Sequence, residues 1–115
     1  MAGRPYLALG SPGGATIITT VLQVLTGYVD RGLPLVDAVA APRLSSRNGA
    51  VSEAEPAIDT GPLGAGLVSL DHSLTQNPEI GAATAIRILP HGQFLAAAET
   101  TRRGGGAAGV VHPVP

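Results

Sequence analysis

The chain has 115 residues, of which 44% are hydrophobic and only 13% charged, about half the ~25% usual for a soluble domain. Seven arginines against eight carboxylates leave a net charge of −1 with no basic run, which argues against nucleic acid as a partner. Absence of cysteine excludes disulfide scaffolds, thiolate metal sites and cysteine nucleophiles, and a chain of this size forms one domain at most.

In chain order, Tyr6 to Leu9 is a short apolar run that ends in Gly10-Ser11-Pro12-Gly13-Gly14, which predicts a buried strand entering a turn. Ile17, Ile18, Val21, Leu22, Leu25 and Val29 then recur at steps of three and four, predicting an amphipathic helix from Ala15 to Asp30 with Gly32 as its C-cap. Four threonines and a glutamine interrupt that stretch, so it cannot span a bilayer. Leu35 to Ala41, stopped by Pro42, predicts a second, two-turn helix. Leu44 to Arg47 and Ala50 to Glu53 read as a small hairpin around Asn48-Gly49. Ile58 to Leu70, rich in glycine, predicts one weakly specified helix, and His72 to Glu79 reads as a polar turn. Ala83 to Leu89 and Gln93 to Ala98, joined by Pro90-His91-Gly92, predict the clearest hairpin. The tail from Arg102 onward has no period. This order of elements predicts an α+β fold with antiparallel sheets, and the small residues on the last hairpin predict close packing against a helical layer.

The most informative segment is the glycine turn. Paired glycines between a strand and a helix leave backbone N–H groups unshielded where the helix dipole adds partial positive charge. Neither a Gly-Lys-Ser/Thr ending nor G-x-G-x-x-G spacing is present, so the phosphate-binding motifs do not apply. Two readings stay open from the residues alone: a plain tight turn, or an oxyanion hole made by adjacent amides. With no lysine among the basic residues, Schiff-base chemistry is out. His72, His91 and His112 lack helical ligand spacing and read as turn and tail residues rather than metal ligands. Arg43 reads as a structural ion-pair or backbone-carbonyl donor, with a substrate carboxylate as the alternative. Asp30, in the last helical turn, opposes the dipole and calls for a partner such as Arg31. Arg102-Arg103 reads as a solvated pair.

Gly10-Ser11-Pro12-Gly13-Gly14, the following Ile17 to Gln23 helix, Ala41-Pro42-Arg43 and Arg102-Arg103-Gly104-Gly105, in that order, resemble the C-terminal part of the gamma-glutamyltransferase family (the gamma-glutamyl transpeptidases, or glutathione hydrolases). The resemblance runs along essentially all of residues 1–115. It implies part of an N-terminal-nucleophile hydrolase, an αββα sandwich whose precursor cleaves itself into a large and a small subunit. It further implies an N-terminal threonine that attacks the gamma-glutamyl amide of glutathione, with transfer to water, an amino acid or a peptide, and no cofactor or metal. The backbone amides of Gly13 and Gly14 would form the oxyanion hole.

The family's threonine and its carboxylate-binding serine pair belong upstream of the glycine turn. Thr16, Thr19 and Thr20 fall in the predicted helix without a free α-amino group, Ser45-Ser46 follows the turn, and Ala2 is no nucleophile. Glu99-Thr100-Thr101 stands where the family often has Asp-Pro before the arginine. The expectation is therefore a fragment completed by an upstream, nucleophile-bearing polypeptide and its large subunit; the alternative is a catalytically inert remnant or interaction module. Met1 to Pro5 carries no apolar leader, so the chain is expected in the cytoplasm if it is expressed as given; the compartment of the complete enzyme stays open, because a secretion signal would sit on the upstream part. Alone, it is expected to be marginally stable, with open sheet edges and an uncovered apolar face.

Overall fold

The computed structural model describes residues 3–114; Met1, Ala2 and Pro115, and with them the reading of Ala2, lie outside the described residues. Strand β1 (Leu7–Gly10) runs out at Pro12, and a 3-10 turn over Gly14–Thr16 leads into helix α1 (Ile17–Val29). The helix begins later than Ala15 because Gly13 and Gly14 both have positive φ, 138° and 56°, which starts the chain in a tighter coil. Gly32 ends the segment as expected: it is left-handed at φ 67°, and beyond it the Leu33 N–H bonds back to the Gly27 carbonyl at 3.0 Å. Helix α2 (Leu35–Ala40) follows and stops before Pro42.

Three antiparallel strands form the first sheet, in the order β1, β5 (Thr84–Ile88), β6 (Phe94–Ala98). The register sets Leu9 opposite Ala85, and Ala85 opposite Ala97. Those residues share the inner face, where Ala83, Ala85 and Ala97 meet Val24 of α1 and Leu35, Ala38 and Val39 of α2. Alanine on the sheet lets the helices sit close, so a core without a buried large aromatic still fills its volume.

Helix α1 uses a different face from the one its periodicity suggests. Thr20, Val24 and Gly27 point inward, and a Cβ on Gly27 would lie 3.6 Å from the Ala38 Cβ. The apolar stripe Ile18, Leu22, Leu25 and Val29 faces outward instead, with Ile18 78% exposed. Close approach to α2 selects the small residues for the interior and leaves the larger ones outside. The opposite face of the first sheet, with Ile86 and Phe94, is also exposed.

The second sheet holds β2 (Leu44–Ser45), β3 (Val51–Ala54) and β4 (Ser73–Gln76). The β2–β3 hairpin is antiparallel as expected, but β2 is shorter, β3 starts one residue later, and the connection spans 46–50, with Asn48 at φ 59°. The stretch 72–79 is not only a turn, because β4 pairs there with β3 in parallel. Parallel pairing needs a crossover, and the residues between supply it as two helices, α3 (Pro56–Asp59) and α4 (Pro62–Ser69). The single helix predicted over 58–70 breaks at Gly61-Pro62, where Pro62 has no N–H to continue the first helix and instead opens the second. The fold is thus α+β, with one antiparallel sheet under two helices and one small mixed sheet. The molecule is elongated, 57 × 33 × 24 Å.

Candidate active site

The turn after β1 orients two successive peptide planes through their carbonyls. Ser11 Oγ donates to the Pro12 carbonyl at 2.6 Å. The Gly13 carbonyl accepts from both the Thr16 N–H at 3.1 Å and Thr16 Oγ1 at 2.9 Å. In a trans peptide the N–H points opposite the C=O, and no cis bond occurs among the described residues. Fixing the two carbonyls therefore aims the Gly13 and Gly14 N–H groups the other way. Neither N–H meets a protein acceptor among the described residues. Both sit at the mouth of α1, whose N-terminal end carries partial positive charge. Chemically, the arrangement can place two donors on one oxygen that is gaining negative charge.

Glycine is required at Gly13, because a Cβ there would collide with Thr16 Oγ1. At Gly14 a Cβ would meet nothing within 4 Å, so only its left-handed φ asks for glycine.

The other residues singled out from sequence fall into structural roles. Arg43 is 1% exposed. It donates from Nη1 to the Ile80 carbonyl at 2.8 Å, and from Nη2 to the Val39 carbonyl at 2.6 Å and to Glu99 Oε2 at 3.1 Å, which is the ion-pair and carbonyl-donor reading. Thr19 Oγ1 and Ser45 Oγ are 2.7 Å apart, and Ser46 Oγ accepts from the Asn48 N–H at 3.3 Å. Asp30 caps α1 and its N–H bonds to the Thr26 carbonyl. His72, His91 and His112 are all exposed, and no group of three metal-ligating side chains occurs among the described residues.

Arg102 departs from the solvated reading. It is 6% exposed and grips Glu55 with Nε to Oε1 at 2.5 Å and Nη2 to Oε2 at 2.6 Å, while Nη1 reaches Glu99 Oε1 at 2.9 Å. Only Arg103 of the pair is exposed. A side chain that finds two carboxylates and the carbonyls of Val39 and Ala41 has a better partner set than water can offer at that depth.

The electrostatics follow from this packing. Burial pushes the Arg43 guanidinium below its ordinary value and the Arg102 charge adds to that, while Glu99 and Glu55 oppose it. For Glu55, burial acts upward but is overcome by Arg102 and by the Ile80 and Arg43 N–H groups, so its carboxyl is held below the usual value. Burial acts downward on Arg102, and Glu55 and Glu99 more than reverse it. The sequence carries no signal for Glu55 or Gly81, and Glu99 stands out in it only as a departure from a motif, since each takes its role largely from residues far away in the chain.

The gamma-glutamyltranspeptidase family model matches residues 1–110. The chain belongs to the gamma-glutamyltranspeptidase family. It is 33% identical over 103 residues to the glutathione hydrolase proenzyme of Bacillus subtilis, covering 88% of this chain and 17% of that protein. It is 34% identical over 97 residues to the acylase ACY 1 proenzyme of Pseudomonas sp. strain SE83, covering 84% of this chain and again 17% of the relative. Among solved structures, the gamma-glutamyltranspeptidase from Pseudomonas nitroreducens complexed with L-DON superimposes with a TM-score of 0.83 at 30% identity, over 97% of this chain and 58% of that one. The chain thus spans about a sixth of the curated relatives' length. Its α+β fold is part of the gamma-glutamyltranspeptidase sandwich of the N-terminal-nucleophile hydrolases. No helix among the described residues is long and apolar enough to cross a membrane.

Proposed function

We propose that residues 1–115 are the C-terminal segment of a gamma-glutamyl-transferring hydrolase and supply its oxyanion hole through the Gly13 and Gly14 N–H groups. The observation that carries this reading is that both N–H groups lack a protein acceptor at the mouth of α1 while their peptide planes are pinned from behind. A threonine on polypeptide outside these residues attacks the gamma-glutamyl carbonyl carbon, with its own α-amino group as base. The carbonyl oxygen takes the negative charge and the two amides receive it. Collapse of the intermediate breaks the C–N bond, the α-ammonium group gives its proton to the departing amine, and an acyl-threonine remains, which water or an amino acid then releases. One such donor contributes about 3–4 kcal/mol to the transition state. No cofactor enters these steps, and the partners are the nucleophile-bearing polypeptide with its large subunit, and glutathione or a related gamma-glutamyl compound.

A second reading, an inert remnant or interaction module, draws on the threonines of the glycine-turn region. Thr16 is committed to Gly13, Thr19 to Ser45, and Thr20 is fully buried. Hydrolysis of a chromogenic gamma-glutamyl anilide separates the readings, using the chain alone and mixed with an upstream polypeptide that carries the threonine. Turnover only on mixing is the expected result. Turnover by the chain alone would overturn the assignment of the nucleophile to another polypeptide, and silence in both cases would establish the inert reading.

A further inference from the structure

The glycine turn rests on a second loop that forms no sheet ladder of its own, Ile80 to Ala83. We infer that this loop is the floor that sets the two candidate oxyanion amides in place, with Ser11 and Gly81 as positioning residues; the inference rests on the function proposed above.

Three of its four successive N–H groups are held by side chains from elsewhere in the chain. The Ile80 N–H donates to Glu55 Oε1 at 2.9 Å, the Ala82 N–H to Ser11 Oγ at 3.1 Å, and the Ala83 N–H to Glu99 Oε2 at 3.3 Å. Arg43 takes the Ile80 carbonyl at 2.8 Å. The two glutamates are themselves locked by Arg43 and Arg102. The buried charges therefore do more than join helix to tail: they clamp both ends of this loop.

Between the clamps the loop touches the turn. Gly81 is left-handed at φ 65°, and a Cβ there would lie 2.5 Å from Thr20 Oγ1 and 2.9 Å from Ser11 Oγ. A Cβ on Gly13 would in turn lie 3.6 Å from the Gly81 Cα. The two glycine backbones are therefore neighbours, and at Gly81 it is the Thr20 and Ser11 side chains that leave no room for a Cβ. Ser11 carries the connection upward: its Oγ accepts from Ala82 in the floor and donates to the Pro12 carbonyl, whose peptide plane bears the Gly13 N–H. A shift of the floor is thereby passed to the amide that would meet the oxyanion.

Ser11→Ala and Gly81→Ala, compared with Gly66→Ala at an exposed helical position where a Cβ meets nothing within 4 Å, test this in two independent ways. The first is the amide NMR spectrum of the 115-residue chain. Ser11→Ala moves the Gly13 and Gly14 amide resonances and speeds their hydrogen exchange, with the β5 and β6 amides unchanged, and Gly66→Ala moves neither glycine. Gly81→Ala produces the larger displacement; if it unfolds the chain, Ser11→Ala decides. The second is turnover of the gamma-glutamyl anilide in the reconstituted mixture. There Ser11→Ala lowers kcat about 100-fold, as a donor misplaced by about an ångström would, with KM within about twofold. Unmoved Gly13 and Gly14 resonances in a folded Ser11→Ala chain, or a raised KM with kcat unchanged, would overturn the inference. If the unsubstituted mixture shows no turnover, the proposed function falls while the NMR comparison still decides whether the floor places the amides.

Discussion

Glu55 and Arg102 meet side-on as a buried pair, with both carboxylate oxygens engaged by guanidinium nitrogens at 2.5 and 2.6 Å. Arg43 and Glu99 complete a buried quartet of two positive and two negative charges. Removing any single member leaves such a quartet with a net charge.

Removing one member should therefore be costly. Glu55→Ala or Arg102→Ala leaves an uncompensated charge in the interior and is expected to lower unfolding free energy by about 3–5 kcal/mol. Urea titration followed by circular dichroism measures it, and a loss below about 1 kcal/mol, typical of an exposed pair, would mean the pair is open to water in solution.

Acid should weaken the fold through the same residue. The folded carboxyl of Glu55 is held below its ordinary value of 4.5, so folding favours its ionised form. That contribution is fully present above the ordinary value and is lost as the pH falls through the lower, folded one. Unfolding free energy is thus expected to be steady near neutrality and to decline below about pH 4.5, and Glu55→Gln should flatten this part of the profile. An equally steep decline in the Glu55→Gln chain would place the acid sensitivity elsewhere.

The two glycines of the turn should respond differently to alanine. Gly13→Ala drives a Cβ into Thr16 Oγ1 and is expected to lower turnover of the reconstituted enzyme by about 100-fold or more. Gly14→Ala meets no atom within 4 Å and bears only the left-handed penalty of about 1 kcal/mol. Equal kinetic losses at both positions would refute this ranking.

Gln23 ties α1 to the second sheet by copying a strand's pairing. Its Oε1 accepts from the Leu44 N–H at 3.0 Å, and its Nε2 donates to the Leu44 carbonyl. Gln23→Ala is expected to cost about 1–3 kcal/mol and to release protection at the Leu44 and Ser45 amides while β5 and β6 stay protected, as read by hydrogen exchange.

The outward stripe of α1 should govern association. Ile18→Glu with Leu22→Lys replaces two exposed apolar side chains, and sedimentation velocity is expected to show less self-association with unfolding free energy within about 0.5 kcal/mol of the parent. A large loss of stability instead would mean the stripe packs inward.

Legibility in the sequence followed the range of the forces involved. The strand before the glycine turn, although half-buried rather than buried, α1 with its Gly32 end, α2 before Pro42 and the β5–β6 hairpin were all readable, because their signals are local periods and local breakers. Strand β4 was not: Ser73-Leu74-Thr75-Gln76 alternates weakly, and it becomes a strand only because the crossover brings it beside β3. Periodicity points to the wrong face of α1 for a related reason, since it ranks side chains by hydrophobicity while a close helix contact ranks them by size. Arg102 looked solvated because its main partner is 47 positions away. At the candidate site the paired glycines were visible, but the loop beneath them was not, because Gly81 becomes special only when Thr20 and Ser11 close around it.

The quartet also bears on the order in which the chain is made. Synthesis supplies the chain from its N-terminal side, and Arg43, Glu55 and Glu99 all emerge before Arg102. Until that residue is added, closing the core would trap two carboxylates with one guanidinium. Arg102 thus works as a completion check written in charge, holding back the final closure of the interior until residue 102 has been made.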